Sequence, residues 1–165
     1  MPQGPAARVT DPVMHPLPPL LGPGPGSVTT LIGSLPAWRG VMPAAAAAIQ
    51  AAKQTADIAV QTAVAATAAA AGPAMPVAYA AEQTLKTSTA AAMGSMIAGA
   101  AAGADIHSCC TPSPIPPHGP GVVVDGSKTV MIDHLPACRL GDTIVEPLGP
   151  PNKIAMGCPT VIIGG

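Results

Sequence analysis

The chain has 165 residues, 48% of them hydrophobic, yet it contains no Phe, one Trp and one Tyr, so its apolar content is mostly alanine. With 18 Gly, 22 Pro and only 9% charged residues it departs from an average globular composition and argues against an enzyme built around a large apolar pocket. Seven basic against eight acidic residues, spread singly, exclude the basic footprint of a nucleic-acid binder.

The opening Met-Pro-Gln-Gly-Pro shows neither the basic nor the apolar region of a signal peptide. A cytoplasmic start is therefore expected, with Cys109, Cys110, Cys138 and Cys158 as free thiols or metal ligands rather than disulfides. PAAR at 5–8 then opens a unit that continues through a loop with Asp11 to a glycine-led run, GSVTTLIG, at 26–33. The unit recurs: PAAR returns as PAWR at 36–39 and PACR at 136–139, and the run returns as GSKTVMID at 126–133 and GCPTVIIG at 157–164. Residues 5–33 and 136–164 correspond at a constant shift of 131 without a gap, and the middle copy matches at both ends once an alanine-rich segment is removed. Each copy reads as a turn-forming PAxR segment, a loop carrying Asp11, Asp105 or Asp142, and a short strand. Units this short cannot each bury a core, so they are expected to pack around a common pseudo-threefold axis, with Ile32, Val130, Ile132, Val161 and Ile163 facing inward.

Composition shifts near Pro43 and Asp105, since 28 of the 62 residues between them are Ala whereas 19 of the 22 prolines lie outside. Residues 1–42 and 105–165 thus form one discontinuous unit and 43–104 an insertion. Pro43 suits the first turn of a helix, while Gly72-Pro73 and Pro76 break the pattern, which predicts two helices of about 28 residues, each reaching roughly 40 Å. Gln50, Lys53, Gln54, Asp57 and Gln61 in the first arm, and Tyr79, Glu82, Gln83 and Lys86 in the second, are expected to face solvent. Ile49, Val60, Val64, Met93, Met96, Ile97 and the alanines form the packing faces. The uncharged stretch 58–81 raises a membrane reading, but Gly and Pro interrupt it and alanine gains little from lipid. A close-packed antiparallel pair, or a docking surface for an effector, chaperone or sheath component, fits better.

PAARVTD at 5–11, PAWR at 36–39, PACRLGD at 136–142, DIHSC at 105–109, PPHGPG at 116–121 and GPPNKIAMGCPTVIIGG at 149–165 together resemble the PAAR-repeat proteins. The resemblance covers both flanks of the insertion. It implies a mainly β fold, a cone-shaped pseudo-threefold β-prism, here with an inserted Ala-rich helical hairpin. It also implies that the protein caps the trimeric spike, of the VgrG type, in a type VI or similar contractile injection machine. One tip would sit on each trimer, made in the cytoplasm and delivered with the spike, touching membrane only in passing.

The resemblance further implies one structural zinc ion near the apex, and a domain with so small a core is a setting in which a metal replaces apolar burial. Candidates by chemistry are the four histidines and four cysteines. His134 stands in a turn where the first copy has Ser34 and reads as an exposed turn residue, and Cys138 as a small packed one. Since family members commonly use three His and one Cys, the resemblance assigns His15, His107 and His118, with Cys158 preferred as the sulfur because it would tie in the third copy, and Cys109 as the alternative. Glu146 corresponds to His15 at the shift of 131 and is open to three readings: a displaced ligand, an outer acceptor or an exposed acid. No Ser-His-Asp set, phosphate loop or His-Glu-x-x-His is present, so a structural role is expected. The rival is a small zinc-dependent hydrolase with Glu146 as general base.

Overall fold

Three PAxR segments, far apart in the chain, meet as one ring. The structure, a computed structural model, describes residues 3–14, 20–109 and 118–165. Ala7 N–H donates to Cys138 O at 2.9 Å, Cys138 N–H to Trp38 O at 3.1 Å, and Trp38 N–H to Ala7 O at 2.9 Å, which closes a cycle through all three copies. A second cycle lies beside it, with Val9, Gly40 and Leu140 N–H donating to the carbonyls of Pro36, Pro136 and Pro5 at 2.8–2.9 Å. Side chains of an extended segment alternate in direction. Ala6, Ala37 and Ala137 therefore enter one buried cluster with Ile32, Ile132, Ile163 and Cys158, while Ala7, Trp38 and Cys138 enter another with Val13, Leu21, Val123, Ile144 and Ile154.

The elements in chain order are β1 (Gly4–Ala6), β2 (Val13–Met14), β3 (Pro23–Gly24), β4 (Leu31–Ile32), β5 (Leu35–Pro36), α1 (Pro43–Ala69), α2 (Ala74–Ala101), β6 (Ile106–Cys109), β7 (Gly119–Val123), β8 (Met131–Ile132), β9 (Leu135–Pro136), β10 (Thr143–Val145), β11 (Asn152–Ile154) and β12 (Cys158–Ile163). Two hairpins, β4–β5 and β8–β9, link first copy to second and second to third. Their turns, Gly33-Ser34 and Asp133-His134, have positive φ at both residues (56°, 67°, 49° and 66°), the geometry that a two-residue hairpin needs to match strand twist. The third link is made by β12 pairing with β1, with Ile162 opposite Pro5 just as Leu31 and Met131 lie opposite Pro36 and Pro136.

On the other side of the ring a six-stranded antiparallel sheet runs β2-β11-β10-β7-β6-β3. Both edge strands belong to the first copy, and a bridge between Pro12 and Leu20 brings them back together, so the sheet curls on itself. The structure is thus mixed, with curled antiparallel sheets and two helices. Two of the residues expected inside are not: Val130 and Val161 are 36% and 37% exposed. In the second copy the Ser127 hydroxyl accepts the N–H groups of Thr129 and Val130, so strand alternation begins only at Met131. In the third, the register jumps from Ile162 to Cys158 across Pro5–Ala6, and the residues between bulge outward.

Each copy is pinned by one arginine and one aspartate. Asp11, Asp105 and Asp142 each accept the backbone N–H of Arg8, Arg39 and Arg139 at 2.8 Å, and each also takes the guanidinium of the same arginine. In the first and third copies the partners are three residues apart, whereas in the second they are 66 apart. The two helices leave and return within that one ion pair. Their roots cover the sheet through Ala46, Ile49, Met93, Ile97 and Ala101, packed on Val41, Val122, Val124, Leu135 and Val145. Farther out, Ile58, Val64, Met75, Val77 and Tyr79 are exposed. Lys53 and Glu82, expected on the solvent face, are buried instead, Lys53 against Gly149 and Asp57, and Glu82 in an ion pair with Lys86.

Asp105 is fully buried and also accepts Gly26 N–H at 2.8 Å, so an amide in its place removes the buried charge facing Arg39, leaves the guanidinium only the partly exposed Asp133 as a carboxylate partner, and sets an NH2 group among donors. Asp105→Asn should cost about 3–5 kcal/mol in urea unfolding. Arg8→Ala should cost less, because that side chain is 18% exposed.

Candidate functional site

Glu146 directly follows strand β10, and its carboxylate is buried. Glu146 Oε2 accepts from Asn152 Nδ2 at 3.0 Å and lies 2.9 Å from His118 Nδ1; Oε1 lies 3.6 Å from His107 Nε2. The sheet explains the convergence. Asn152 begins β11, which pairs with β10; His107 lies in β6 opposite Gly121 of β7; and His118 immediately precedes β7. A Cβ on Gly121 would stand 2.8 Å from Ile144 Cγ2 and 2.9 Å from Glu146 Cγ, so the glycine is what lets the acid approach the histidine strand.

His118 rests on a second glycine. A Cβ on Gly149, whose φ is 81°, would meet Cε1 and Nε2 of the imidazole at 3.1 Å. Burial, and then the positive charge of Lys53, push the His118 pKa below its ordinary value, so the ring is neutral near pH 7. A cleft of about 250 Å³ opens beside it, walled by Asp57, Val60, Val64 and Lys86 of the helices and by Leu148 and Gly149.

Of the residues singled out from sequence, the structure brings together His107, His118 and Glu146. His15 and the Cys109 side chain lie outside the described residues, although Cys109 itself ends β6 opposite Gly119. Cys158 is placed elsewhere: it is buried with Ala6, Ile32, Ala137 and Ile163 on the other side of the PAxR ring. The Thr160 hydroxyl, 3.2 Å from its sulfur, and then the backbone N–H groups of Thr160 and Val161 hold its thiol pKa down. Ser27 and Ser127 accept the equivalent N–H groups in the other copies, so Cys158 is the third copy's turn cap, and this register separates it from the histidines. Counting from the paired aspartate would have shown as much. Four residues after Asp11, Asp105 and Asp142 stand His15, Cys109 and Glu146, whereas Cys158 aligns with two serines.

Among the described residues no group of three or more His, Cys, Asp or Glu is arranged to hold a metal ion. The donor chemistry nonetheless suits zinc, because a neutral imidazole held at Nδ1 by a buried carboxylate is the outer arrangement that a histidine ligand takes, its other nitrogen being the one that meets the metal.

On the opposite side of the ring a different surface repeats three times. Leu31, Met131 and Ile162 hold equivalent places beside the three strand links and are 65%, 46% and 57% exposed. No helix among the described residues is long and apolar enough to cross a membrane. Residues 113–165, which include His118, Glu146 and Cys158, match the family model of the PAAR motif. No curated protein and no solved structure matches the chain.

Two glycines separate backbone strain from contact with the imidazole. Gly141 has φ 88° with nothing within 4 Å of a Cβ, so Gly141→Ala should cost only the left-handed backbone term, about 1–2 kcal/mol. Gly149→Ala should cost more, because the ring must also move, and the excess should vanish in a His118→Ala background; thermal unfolding of Gly141→Ala, Gly149→Ala, His118→Ala and the Gly149→Ala/His118→Ala double variant measures it.

Proposed function

We propose that this chain, a PAAR-motif protein over residues 113–165, is the tip that caps a trimeric spike of the VgrG type in a type VI-like contractile injection machine. The observation that carries the reading is the closed ring of three PAxR segments with an equivalent exposed apolar side chain in each copy, Leu31, Met131 and Ile162, on one face. A homotrimer presents one patch three times around its axis, and a single chain built of three copies meets each patch once. The stoichiometry is one tip per trimer. The remainder of the ring and the curled sheet then form the pseudo-threefold cone that sharpens the shaft, and the partner covers apolar surface that would otherwise promote aggregation.

At the narrow end, one structural zinc ion is held by His15, His107 and His118 with the sulfur of Cys109 in place of Cys158. Bound there, zinc supplies a cross-link between loops of a domain whose apolar core is thin. Glu146 and Asn152 hold His118 in place, and the Glu146 carboxylate, buried and engaged by both, is ill-suited to act as a general base toward substrate. This supports a structural rather than a catalytic protein. The exposed Ile58, Val64, Met75, Val77 and Tyr79 of the outer hairpin offer a surface for an effector or chaperone, present once per spike because only the second copy carries the insertion. The protein assembles in the cytoplasm and leaves with the spike.

Native mass measurement of the complex reconstituted with the trimeric spike should give one chain per trimer, and three chains per trimer would rule out the cap. Changing Leu31, Met131 and Ile162 together to Glu should abolish the complex while leaving the thermal transition of the free tip largely in place.

For the metal, verified chelation should lower the melting temperature, and Cys109→Ser should reduce zinc occupancy while Cys158→Ser leaves it. The reverse result would restore Cys158 as the ligand.

A further inference from the structure

We propose that Arg8 Nη1, beside the Gly33 turn, receives a carboxylate side chain of the trimeric spike; the inference rests on the spike reading above and names the chemistry of that face. The three copies differ at one place. In the second, Asp133 of the β8–β9 turn accepts from Arg39 Nη1 at 3.1 Å, from Ser27 Oγ at 2.7 Å and from the Thr29 hydroxyl. In the third, Arg139 Nη1 donates to the backbone oxygen of Gly165. In the first, Gly33 stands where the second copy has Asp133, and a Cβ on it would lie 2.9 Å from Arg8 Nη1 and 3.3 Å from Cys158 Sγ. The donors of the same cradle are thus assembled, with Cys158 and Thr160 in place of Ser27 and Thr29, around a residue that brings no carboxylate. Arg8 commits Nε and Nη2 to Asp11, and among the described residues its Nη1 has no acceptor.

The Arg8 side chain is 18% exposed, Gly33 and Thr160 are exposed, and Gly33 lies two residues beyond Leu31, so the place is open to solvent in the free chain and borders the apolar face. A partner that buries Leu31 excludes that solvent, and a guanidinium N–H covered without an acceptor is costly. No acid of the chain is left to serve it: Asp133 is engaged by Arg39, Ser27 and Thr29, and Asp11 by Nε and Nη2 of Arg8 itself. An acceptor brought by the partner binds most strongly as a carboxylate, the group that the second copy uses at the same place. A homotrimer presents its acid three times. One meets Arg8; a second meets the exposed Lys128, which lines a cleft with Arg139 and Gly165; the third, opposite Asp133, stays in solvent.

The test is binding of the full chain to the trimeric spike by calorimetry at low and high salt, alongside thermal unfolding of the free chain. Gly33→Asp rebuilds the second copy's arrangement, at φ 56° against 49° for Asp133, and its carboxylate should take Arg8 Nη1 and exclude the acid of the spike. Affinity for the trimer should fall about 10-fold, and its dependence on salt should flatten. Gly33→Ala bears the same backbone cost without a carboxylate, so it should lose less affinity, and as free protein it should melt below Gly33→Asp. Gly72→Asp adds the same charge at φ 57° between the two helices, with nothing within 4 Å of a Cβ, and should bind as the wild type does. Wild-type affinity or undiminished salt dependence in Gly33→Asp would overturn the proposal, as would free Gly33→Asp melting no higher than Gly33→Ala. Equal loss of affinity in those two variants would assign the effect to the shape of the turn and overturn it as well. A wild-type chain that does not bind the trimer would overturn the spike reading itself, and that result is visible before any variant is compared.

Discussion

Everything in the fold depends on three backbone segments satisfying one another's hydrogen bonds in a closed cycle. The third residue of each PAxR donates to the third residue of another copy, and the residue after each arginine donates to the proline of another copy. Buried N–H and C=O groups must find partners, and here none of the three segments can do so alone. Closure also removes the open strand edges that a chain of short strands would otherwise expose. The residue pattern follows from it: alanine stands at the second position of every copy, where the three segments share one buried cluster, while the third position varies from Ala7 to Cys138 to Trp38 in the cluster that faces the sheet.

The Arg–Asp pair is the second element that each copy repeats, and it explains where an insertion can enter. In every copy the aspartate accepts the arginine's backbone N–H and guanidinium and returns its own N–H to the arginine carbonyl. Those contacts define the geometry at both ends of the loop, so the second copy can hold two helices between Arg39 and Asp105 without disturbing its neighbours. Loop-closure entropy grows only slowly with length, and helices whose roots bury Ile49 and Ile97 on the sheet offset it.

Repetition also frees single positions to diverge. Two residues after the paired aspartate, the first and third copies bury Val13 and Ile144, and the second buries His107. The same pocket thus becomes polar in one copy out of three, beside the acid of another. At the glycine-led strand Ser27 and Ser127 cap the turn through oxygen and Cys158 through sulfur, a change of atom with no change of role. Chemistry at the far end of the sheet is therefore asymmetric while the ring below it stays regular.

Much of this was readable in one dimension. Three PAxR copies in register, their glycine-led strands, the proline and glycine that bound the two helices, and the turn role of His134 all follow from local rules: backbone torsion at Gly and Pro, strand alternation, and the recurrence of one pattern. What sequence alone did not decide were the contacts between copies. Val130 and Val161 obey alternation on paper but precede or bulge from the paired residues; Lys53 lies on a polar stripe but finds a carbonyl 96 residues away; Cys158 carries ligand chemistry but sits across the ring from the histidines. Glu146, open to three readings in the sequence, became a buried acceptor only when β10 set it against His118 and Asn152. Periodicity reports which face of a segment is apolar, whereas burial and partnership depend on which other segment arrives there, and in a fold closed by three distant copies that is settled by the ring.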